Sequence, residues 1–249
     1  MERNLTKTEQ TILSAYMKFL DLYEKEDFVI DRSGQRVLEL INYSMLLDPF
    51  ETNVDLSNQV GRKTPLGYVR REIEWYESQS LNVNDIPGKI PEIWKQISSD
   101  KGEINSNYGH LIYSEENYEQ YKKCIEMLKS NKFSRRAIMV YIRPSIQEDY
   151  NRDGMLDFIC TTTNQFFIRN NKLISIYQMR SNDFTFGFYN DFPWAGYVYR
   201  NVFAELKKVY PELEVGELHW NTNSLHIYER HFKYLDILKN NLEFRRDCF

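Results

Sequence analysis

Two apolar, β-rich segments on either side of a turn, within residues 157–191, constrain the fold more than any other part of the sequence. The first run, DFIC, ends at Cys160, and the second, LISIYQMRS, ends at Arg180 and Ser181. Alternating apolar positions and β-branched residues predict a hairpin around the turn at 169–172, with reactive side chains at the strand ends. A thiol, a guanidinium and a carboxylate on one rigid scaffold indicate an enzyme that acts on a small anion.

Composition and charge exclude several classes of protein. With 249 residues, 42% hydrophobic and 27% charged, the chain is long enough for a full core and ordinary for a globular protein. A net charge of −4 disfavours general nucleic-acid binding. The cysteines Cys124, Cys160 and Cys248 match neither a disulfide framework nor a zinc motif, so no metal is expected. No apolar run reaches the roughly 18–20 residues of a membrane helix, which predicts a cytoplasmic protein.

Helical and extended patterns alternate along the chain, which predicts one mixed α+β domain over residues 1–249. A capping box at residues 6–9 precedes apolar residues at helical intervals. The predicted helices lie at 6–25, 65–78, around Trp94, 114–130, 194–210 and 228–240. The predicted strands outside the hairpin lie at 28–30, 37–41, 137–142 and 217–228.

Several short motifs occur in an order that resembles the thymidylate synthase family. They are Ser134-Arg135-Arg136, Cys160, Arg180-Ser181-x-Asp183 followed by Gly187, and Leu225-His226-Ile227-Tyr228. Several motifs in the correct order are far more specific than any one of them, and the resemblance extends from about residue 28 to 232. Within this superfamily the chain is most similar to the deoxycytidylate hydroxymethylases of T-even-type phages. The shared stretches are REIEWY (71–76), KGEINSNYG (101–109), SRRAIMVYIRPS (134–145) and MRSNDFTFGFYND (179–191).

The resemblance implies a large mixed β-sheet with packed helices, one face of which forms the interface of a homodimer. It also implies a nucleotide substrate and 5,10-methylenetetrahydrofolate as the one-carbon donor, with no metal. In the family an adjacent arginine pair reaches across the interface into the partner's site. Arg135 and Arg136 would therefore act on the other subunit's nucleotide.

The resemblance also assigns roles to individual side chains. Cys160 matches the nucleophile, and because a free thiol has a pKa near about 8.5, it needs a nearby cation such as Arg180 to become a thiolate. Glu72 matches a glutamate that organises water and proton transfers around the pyrimidine ring. Guanidinium groups suit phosphate because they bind its oxygens in pairs. The implied phosphate-binding residues are Arg32, Arg135, Arg136, Arg180 and Ser181.

The remaining implied contacts concern the sugar and the folate. His226 and Tyr228 are two residues apart on a predicted strand, so their side chains point to the same side. The family uses this pair to bind the sugar 3′-hydroxyl. Asp183 matches an aspartate near both nucleotide and folate. Trp94 and Tyr108 match residues that line the folate and pyrimidine site, but in a chain with 18 Tyr and 15 Phe either could equally belong to the core.

Asp191 distinguishes cytosine from uracil. Thymidylate synthases carry Asn at the matching position, and an amide can donate to uracil O4 while it accepts from N3–H. Cytosine presents the opposite pattern, an amino donor at C4 and an acceptor at N3. A carboxyl group can accept from that amino group and share a proton with N3. Mispairing a buried polar edge costs about 1–3 kcal/mol, which is enough to select the base.

The residues and the resemblance together predict hydroxymethylation of dCMP through a covalent Cys160–C6 adduct. Thr161 and Met179 replace the His and Gln of the synthases, and the tail at 242–249 does not match the synthase C-terminus. These departures favour water addition over hydride transfer. The alternatives are a dUMP hydroxymethylase, a thymidylate synthase, or a non-catalytic nucleotide- or RNA-binding relative. If the chain is phage-encoded, the expected location is the host cytoplasm.

Overall fold

The computed structural model describes residues 3–247, the last four of them as backbone. Cys248, predicted to lie in a terminal tail, is outside the described residues. The helices are α1 (Lys7–Glu24), α2 (Ser57–Val60), α3 (Leu66–Ser78), α4 (Glu92–Ile97), α5 (Tyr108–Tyr113), α6 (Gln120–Ser130), α7 (Ile146–Asp149), α8 (Phe188–Lys207) and α9 (Lys233–Asp247). The strands are β1 (Val29–Ile30), β2 (Arg36–Leu47), β3 (Asp55–Leu56), β4 (Arg62–Lys63), β5 (Ile138–Val140), β6 (Thr161–Arg169), β7 (Lys172–Met179), β8 (Asn182–Asp183) and β9 (Glu214–Tyr228).

A mixed sheet organises the described part of the chain. Its strand order is β1-β2-β9-β7-β6-β5, and the short β8 pairs with β9 beyond the end of β7. Neighbouring strands are antiparallel except that β7 and β8 both run parallel to β9. The 15-residue β9 therefore joins the β1–β2 half of the sheet to the β5–β7 half. This combination of a mixed sheet and separate helices confirms the predicted α+β class.

The helices pack against the sheet in two hydrophobic clusters. One cluster includes buried residues of α1 and α9, and the other includes buried residues of α3, α5 and α6. α8 contributes to both, since Phe188 and Phe192 belong to the first cluster whereas Trp194 and Val198 belong to the second. α8 thus connects the two halves of the interior, and its N-terminal turn lies between them.

Several apolar side chains of the sheet remain exposed within the single chain. Ile41 in the middle of β2 is 70% exposed. On β5, Ile138 and Val140 are exposed while Met139 between them is buried, as expected for a strand with one covered face. Side chains of this kind can add apolar area to an interface if a second surface covers the sheet.

Several elements predicted from the sequence are confirmed. The capping box begins α1, with Thr6 Oγ1 accepting from Glu9 N–H at 3.2 Å and Glu9 Oε2 accepting from Thr6 N–H at 2.9 Å. β6 and β7 form the predicted hairpin, and Asn170 and Asn171 both have positive φ, at 49° and 57°. That conformation matches the right-handed twist of the flanking strands. The other confirmed elements, with shifts at their ends, are β1, α3, α4, β5 and β9.

Four predicted boundaries were wrong, besides that of the last helix. DFIC is not a strand, since Cys160 precedes β6, so its thiol lies at the strand's start. α8 begins at Phe188, upstream of Pro193, because a helix can tolerate the loss of one backbone hydrogen bond near its start. α6 begins only at Gln120, after two residues with left-handed φ. β2 continues to Leu47 although Asn42, a typical turn residue, has a positive φ of 52°.

The last predicted helix, expected at 228–240, is α9 and begins only at Lys233. Tyr228 is the final residue of β9, and a 3₁₀ turn at Glu229–His231 separates it from α9. Apolar spacing alone does not separate a strand end from a helix start when both are apolar. The displacement matters because it leaves Tyr228 in extended backbone beside His226.

Gly109 allows two helices of the second cluster to touch through their backbones. A Cβ atom at Gly109 in α5 would lie 1.8 Å from the carbonyl oxygen of Tyr76 in α3. Next to it, Asn107 Nδ2 donates to the carbonyl oxygens of Trp75 at 3.0 Å and Ser80 at 2.8 Å. The glycine and the asparagine together fix α5 against α3.

We expect Gly109→Ala to lower the free energy of unfolding by about 3 kcal/mol, since the added methyl group has no space against the backbone of α3. Urea denaturation measures the change. The matched control is Gly67→Ala in α3, where nothing lies within 4 Å of the added Cβ and helix propensity favours alanine. Equal stability of the two variants would contradict the proposed close contact.

Candidate active site

The β6–β7 hairpin brings Cys160 and Arg180 together. Arg180 follows β7, and its backbone N–H donates to the Cys160 carbonyl at 2.9 Å. The guanidinium donates to the carbonyl oxygens of Ile159 at 2.9 Å and Phe158 at 2.7 Å, and it lies 4.5 Å from the centre of the Phe158 ring. One guanidinium nitrogen is 3.5 Å from Cys160 Sγ. The structure thus places the predicted nucleophile beside the predicted cation.

The Cys160 thiol is protonated in the free protein at neutral pH. Burial raises its pKa to about 11, and the carboxyl groups of Asp191 and Asp157 act in the same direction. Arg180 and, more weakly, Arg32 lower the pKa but do not overcome burial. Arg180 is thus the nearby cation that the sequence predicted, but its charge alone does not turn the thiol into a thiolate in the free chain. Bound ligand or a proton acceptor has to complete the activation.

The charge of Arg180 is available for an anion. Within the described residues its donors bond to carbonyl oxygens and the thiol, and none bonds to a carboxylate. Ser181 follows it and is half-buried. Arg32 is exposed in the turn between β1 and β2 and acts on the thiol electrostatically. Three of the five predicted phosphate-binding residues therefore lie around Cys160.

Arg135 and Arg136 lie elsewhere in the same chain. They precede β5, and the Ala137 carbonyl next to them accepts a hydrogen bond from Phe166 N–H at 2.8 Å. Six residues of extended chain separate Phe166 from Cys160, which corresponds to about 20 Å. Both arginines are exposed. Within one chain they do not reach the thiol.

Asp183, His226 and Tyr228 meet at the junction of β8 and β9. Asp183 is the direct register partner of His226. The His226 and Tyr228 rings are perpendicular at a centroid distance of 4.9 Å, so they share one side of β9 as predicted. Burial lowers the pKa of His226 despite the nearby Asp183 carboxylate, which keeps the imidazole neutral. A neutral imidazole can donate or accept one hydrogen bond with a hydroxyl group.

Asp191 lies in the first turn of α8 and is half-buried. Asn182 Nδ2 donates to Asp191 Oδ2 at 2.8 Å, and Asn182 itself is buried. Burial raises the pKa of Asp191 well above its usual range, and the carboxyl groups of Glu72 and Asp183 reinforce this shift. A protonated carboxyl group is consequently available at the position that the sequence assigns to base recognition.

Glu72 projects from α3 into the interior and is 5% exposed. Tyr68, one turn earlier on the same helix, donates its hydroxyl hydrogen to Glu72 Oε1. Trp94 Nε1 in turn donates to the Tyr68 oxygen at 2.7 Å. Burial raises the pKa of Glu72 to about 7, against the opposing effect of these hydrogen bonds. A carboxyl group with that pKa can accept or release a proton near neutral pH.

Asp157 anchors the loop that carries Tyr108. Its Oδ2 accepts the backbone N–H groups of Asn105 and Ser106, each at 2.7 Å, and its Oδ1 accepts the Ser106 hydroxyl at 2.7 Å. Tyr108 is buried, and its pKa is raised by burial and further by Asp191 and Cys160. The same carboxylate thus connects the 105–108 segment to the strand start at Cys160.

Sequence reasoning missed Tyr68, Asn182 and Asp157. The i,i+4 spacing of Tyr68 and Glu72 on a predicted helix was a usable signal, since such pairs meet on one helix face. Asn182 and Asp157 act through contacts between segments that are not adjacent in sequence, which pattern alone does not locate. Trp94 bonds to Tyr68 and packs edge-on against Trp75 at 5.2 Å, so it belongs to the core beside Glu72, and its contact with the folate stays a prediction.

No cluster of three or more His, Cys, Asp or Glu side chains among the described residues is arranged to hold a metal ion. In the same part of the chain, no helix combines the length and apolar character needed to cross a membrane.

The fold and this cluster of side chains define a family. The model of the thymidylate synthase family matches residues 15–244, and the chain belongs to that family. Within it, the chain is 47% identical over 216 residues to the deoxycytidylate 5-hydroxymethyltransferase of Enterobacteria phage T6, an alignment that covers 86% of this chain and 84% of that protein. The protein of the same name from Enterobacteria phage T4 is 46% identical over the same length and the same shares of each chain.

Thymidylate synthases are more distant. The enzyme from Francisella tularensis subsp. holarctica is 27% identical over 233 residues, which covers 89% of this chain and 82% of that enzyme. The identity to the phage hydroxymethyltransferases is thus well above the identity to this synthase.

Proposed function

We propose that this protein is a deoxycytidylate 5-hydroxymethyltransferase. It transfers a one-carbon unit from 5,10-methylenetetrahydrofolate to C5 of dCMP and adds water, which yields 5-hydroxymethyl-dCMP and tetrahydrofolate. The observation that carries the proposal is the half-buried carboxyl group of Asp191, which accepts a hydrogen bond from Asn182 and is close enough to the Cys160 thiol to raise its pKa. The phage relatives that bear this name, at 46–47% identity, support it.

Asp191 reads the base. Its raised pKa supplies a carboxylic O–H, which donates to N3 of cytosine, while its second oxygen accepts from the N4 amino group. The Asn182 amide holds Oδ2 and thereby fixes the plane of the carboxyl group. Uracil presents a donor at N3 and an acceptor at C4, so the same carboxyl group fits it poorly.

Cys160 is the nucleophile. The thiol gives up its proton as Sγ bonds to C6 of the base, and the electron pair of the C5–C6 double bond moves to C5, favoured by the proton that Asp191 shares with N3. C5 bonds to the one-carbon unit and loses its own proton as tetrahydrofolate leaves. Once water has added to that carbon, the C6–Sγ bond breaks and the thiol is regenerated. Arg180 stabilises the thiolate and, with Ser181 and Arg32, binds the phosphate, because its charge is not neutralised by a described carboxylate.

The residues around the thiol fit a folate co-substrate. Trp94 and Tyr108 offer ring faces, and Asp183 Oδ2, 3.8 Å from His231 Nδ1, is free of a close hydrogen bond among the described residues and suits an N–H of a pterin. When bound, methylenetetrahydrofolate supplies the one-carbon unit at the oxidation level of formaldehyde. His226 and Tyr228, on one side of β9, bind the sugar 3′-hydroxyl.

Glu72 orders the water that completes the reaction. Its pKa of about 7 lets the carboxylate accept a proton from water as the C–O bond forms at the transferred carbon. Water addition leaves the oxidation level of that carbon unchanged, so tetrahydrofolate is the folate product. Hydride transfer would instead release dihydrofolate.

The working unit is a homodimer in this proposal, with residues 1–249 as a single domain. The exposed Ile41, Ile138 and Val140 supply an apolar sheet face for a second copy. Arg135 and Arg136, about 20 Å along β6 from the thiol of their own chain, would reach the partner's phosphate. The net charge of −4 disfavours general nucleic-acid binding, and the phage relatives suggest a location in the host cytoplasm.

An assay with three substrates tests the function. The purified protein is incubated with methylenetetrahydrofolate and dCMP, dUMP or CMP, and the nucleotide mass and folate product are measured. We expect dCMP to gain one CH₂O unit and to release tetrahydrofolate. Dihydrofolate with methylated dUMP would identify a synthase, and nucleotide binding without any product would indicate a non-catalytic relative.

We expect Asp191→Asn to lower kcat/KM for dCMP about 100-fold relative to dUMP, because the amide presents the uracil pattern and mispairs with cytosine. Steady-state rates with both nucleotides give the ratio. Asp100→Asn, which makes the same chemical change at an exposed position, is the control and should leave the ratio unchanged. Equal losses on both nucleotides would remove Asp191 from base recognition.

Mixing two inactive variants tests the shared site. Arg136→Ala and Cys160→Ala subunits are refolded together, so that a mixed dimer carries one site with both an intact thiol and the partner's intact arginine. We expect the mixture to recover about a quarter of the parent activity, since half of the dimers are mixed and each has one complete site. No recovery, with mixed dimers verified by mass, would place Arg136 outside the partner's site.

A further inference from the structure

One oxygen of Glu72 is held by a chain of two hydrogen bonds. Tyr68 donates to Glu72 Oε1, and Trp94 Nε1 donates to the Tyr68 oxygen at 2.7 Å. Glu72 and Tyr68 are one turn apart on α3, so the helix fixes their spacing, whereas Trp94 comes from α4. Trp94 is itself positioned by its edge-on contact with Trp75 at 5.2 Å. Glu72, Tyr68 and Trp94 therefore hold one another in place through these contacts.

The direction of this chain follows from its chemistry. An indole N–H can only donate, so the Tyr68 oxygen accepts from Trp94. The phenol has a single hydrogen, which it donates to Glu72 Oε1. Burial and the neighbouring Glu72 keep the pKa of Tyr68 far above its usual value, so that hydrogen stays on the phenol at any working pH. When Glu72 is ionised, no other arrangement satisfies both contacts.

The series of hydrogen bonds that starts at Glu72 ends at Trp94. The indole nitrogen has no lone pair available for a proton, so a proton on Glu72 has no exit along this path. Oε1 accepts from Tyr68, and the only other side-chain donor close to the carboxyl group among the described residues is the Trp94 N–H, which is bonded to the Tyr68 oxygen. Proton exchange at Glu72 is therefore confined to Oε2 and to the water or substrate that contacts it.

We infer that Tyr68 is a positioning residue for the reaction: it clamps Oε1 of Glu72, leaves Oε2 as the oxygen that handles water, and blocks proton loss toward the protein interior. The inference rests on the proposed function for the role of Glu72, and it adds a residue that acts through the glutamate. Tyr68 touches neither the thiol nor the carboxyl of Asp191 in the described hydrogen bonds. Its effect is to fix which oxygen of Glu72 reacts and at what pH.

The hydrogen bond from Tyr68 is one of several effects that determine the pKa of Glu72. Burial raises the Glu72 pKa, and the bonds from Tyr68 and Trp94 lower it, with a net value of about 7. The titratable groups that face the carboxyl are Tyr68 and Tyr76 from α3 and Asp191 from α8, and none of them is a cation. Loss of the phenol hydrogen bond therefore raises the Glu72 pKa further, and the carboxylate fraction at pH 7 falls.

The test is Tyr68→Phe, which removes the hydroxyl and keeps the ring. Carboxyl carbon-13 spectra of glutamate-labelled protein report the Glu72 titration directly, and Glu72→Gln identifies its signal. We expect the Glu72 pKa to rise by about one to two units in Tyr68→Phe, the size of one hydrogen bond to a charged group. An unchanged titration overturns the clamp, whether or not the protein turns over dCMP.

Kinetics then separate positioning from other roles. With dCMP, kcat of Tyr68→Phe at pH 7 should fall about five- to fiftyfold, as the rise of one to two units in the Glu72 pKa requires, and recover toward the parent value by about pH 9 to 10, where Glu72 is again ionised. A loss that is the same at every pH would make Tyr68 a proton relay or a structural residue and overturns the inference. Tyr16→Phe removes a buried hydroxyl that lacks a partner among the described residues, and it should leave the profile unchanged. If the unsubstituted protein does not turn over dCMP, the proposed function is refuted, and the titration alone tests the role of Tyr68.

Discussion

The candidate site depends on the last rung of the β6–β7 ladder. The hydrogen bond from Arg180 N–H to the Cys160 carbonyl holds the end of one strand against the start of the other. Each side chain then follows from its backbone: the guanidinium folds back onto the Phe158 and Ile159 carbonyls, and the thiol lies beside it. Asp157, four residues before Thr161, adds the 105–108 segment to the same corner of the sheet.

Burial determines the protonation states of the candidate site before a nucleotide binds. Cys160, Glu72 and Asp191 all have raised pKa values, with burial as the first cause in each case. At neutral pH the free site therefore keeps the protons of Cys160 and Asp191, Glu72 is about half ionised, and Arg180 remains the main fixed charge next to the thiol. A nucleotide phosphate is attracted to that charge, and cytosine N3 meets a proton donor at Asp191. The same burial that suppresses the thiolate prepares the carboxyl group for the base.

The sequence predicted the fold class, the hairpin and the juxtaposition of Cys160 with Arg180, because local periodicity and motif order carry this information. It could not locate the start of α8 ahead of Pro193, since a tolerated proline looks like a boundary. Nor could it supply Asn182 and Asp157, whose partners are brought near by the sheet. The raised pKa of the thiol could not be predicted, because sequence reveals a neighbouring cation more readily than the depth of burial.

The backbone contact at Gly109 has a mechanical consequence. α3 and α5 cannot slide past each other without a clash, so Glu72 and Tyr108 form one stiff wall of the cleft. A nucleotide that enters the site therefore meets Glu72 and Tyr108 at a fixed spacing, and the position of the base relative to both side chains is set before any chemistry begins.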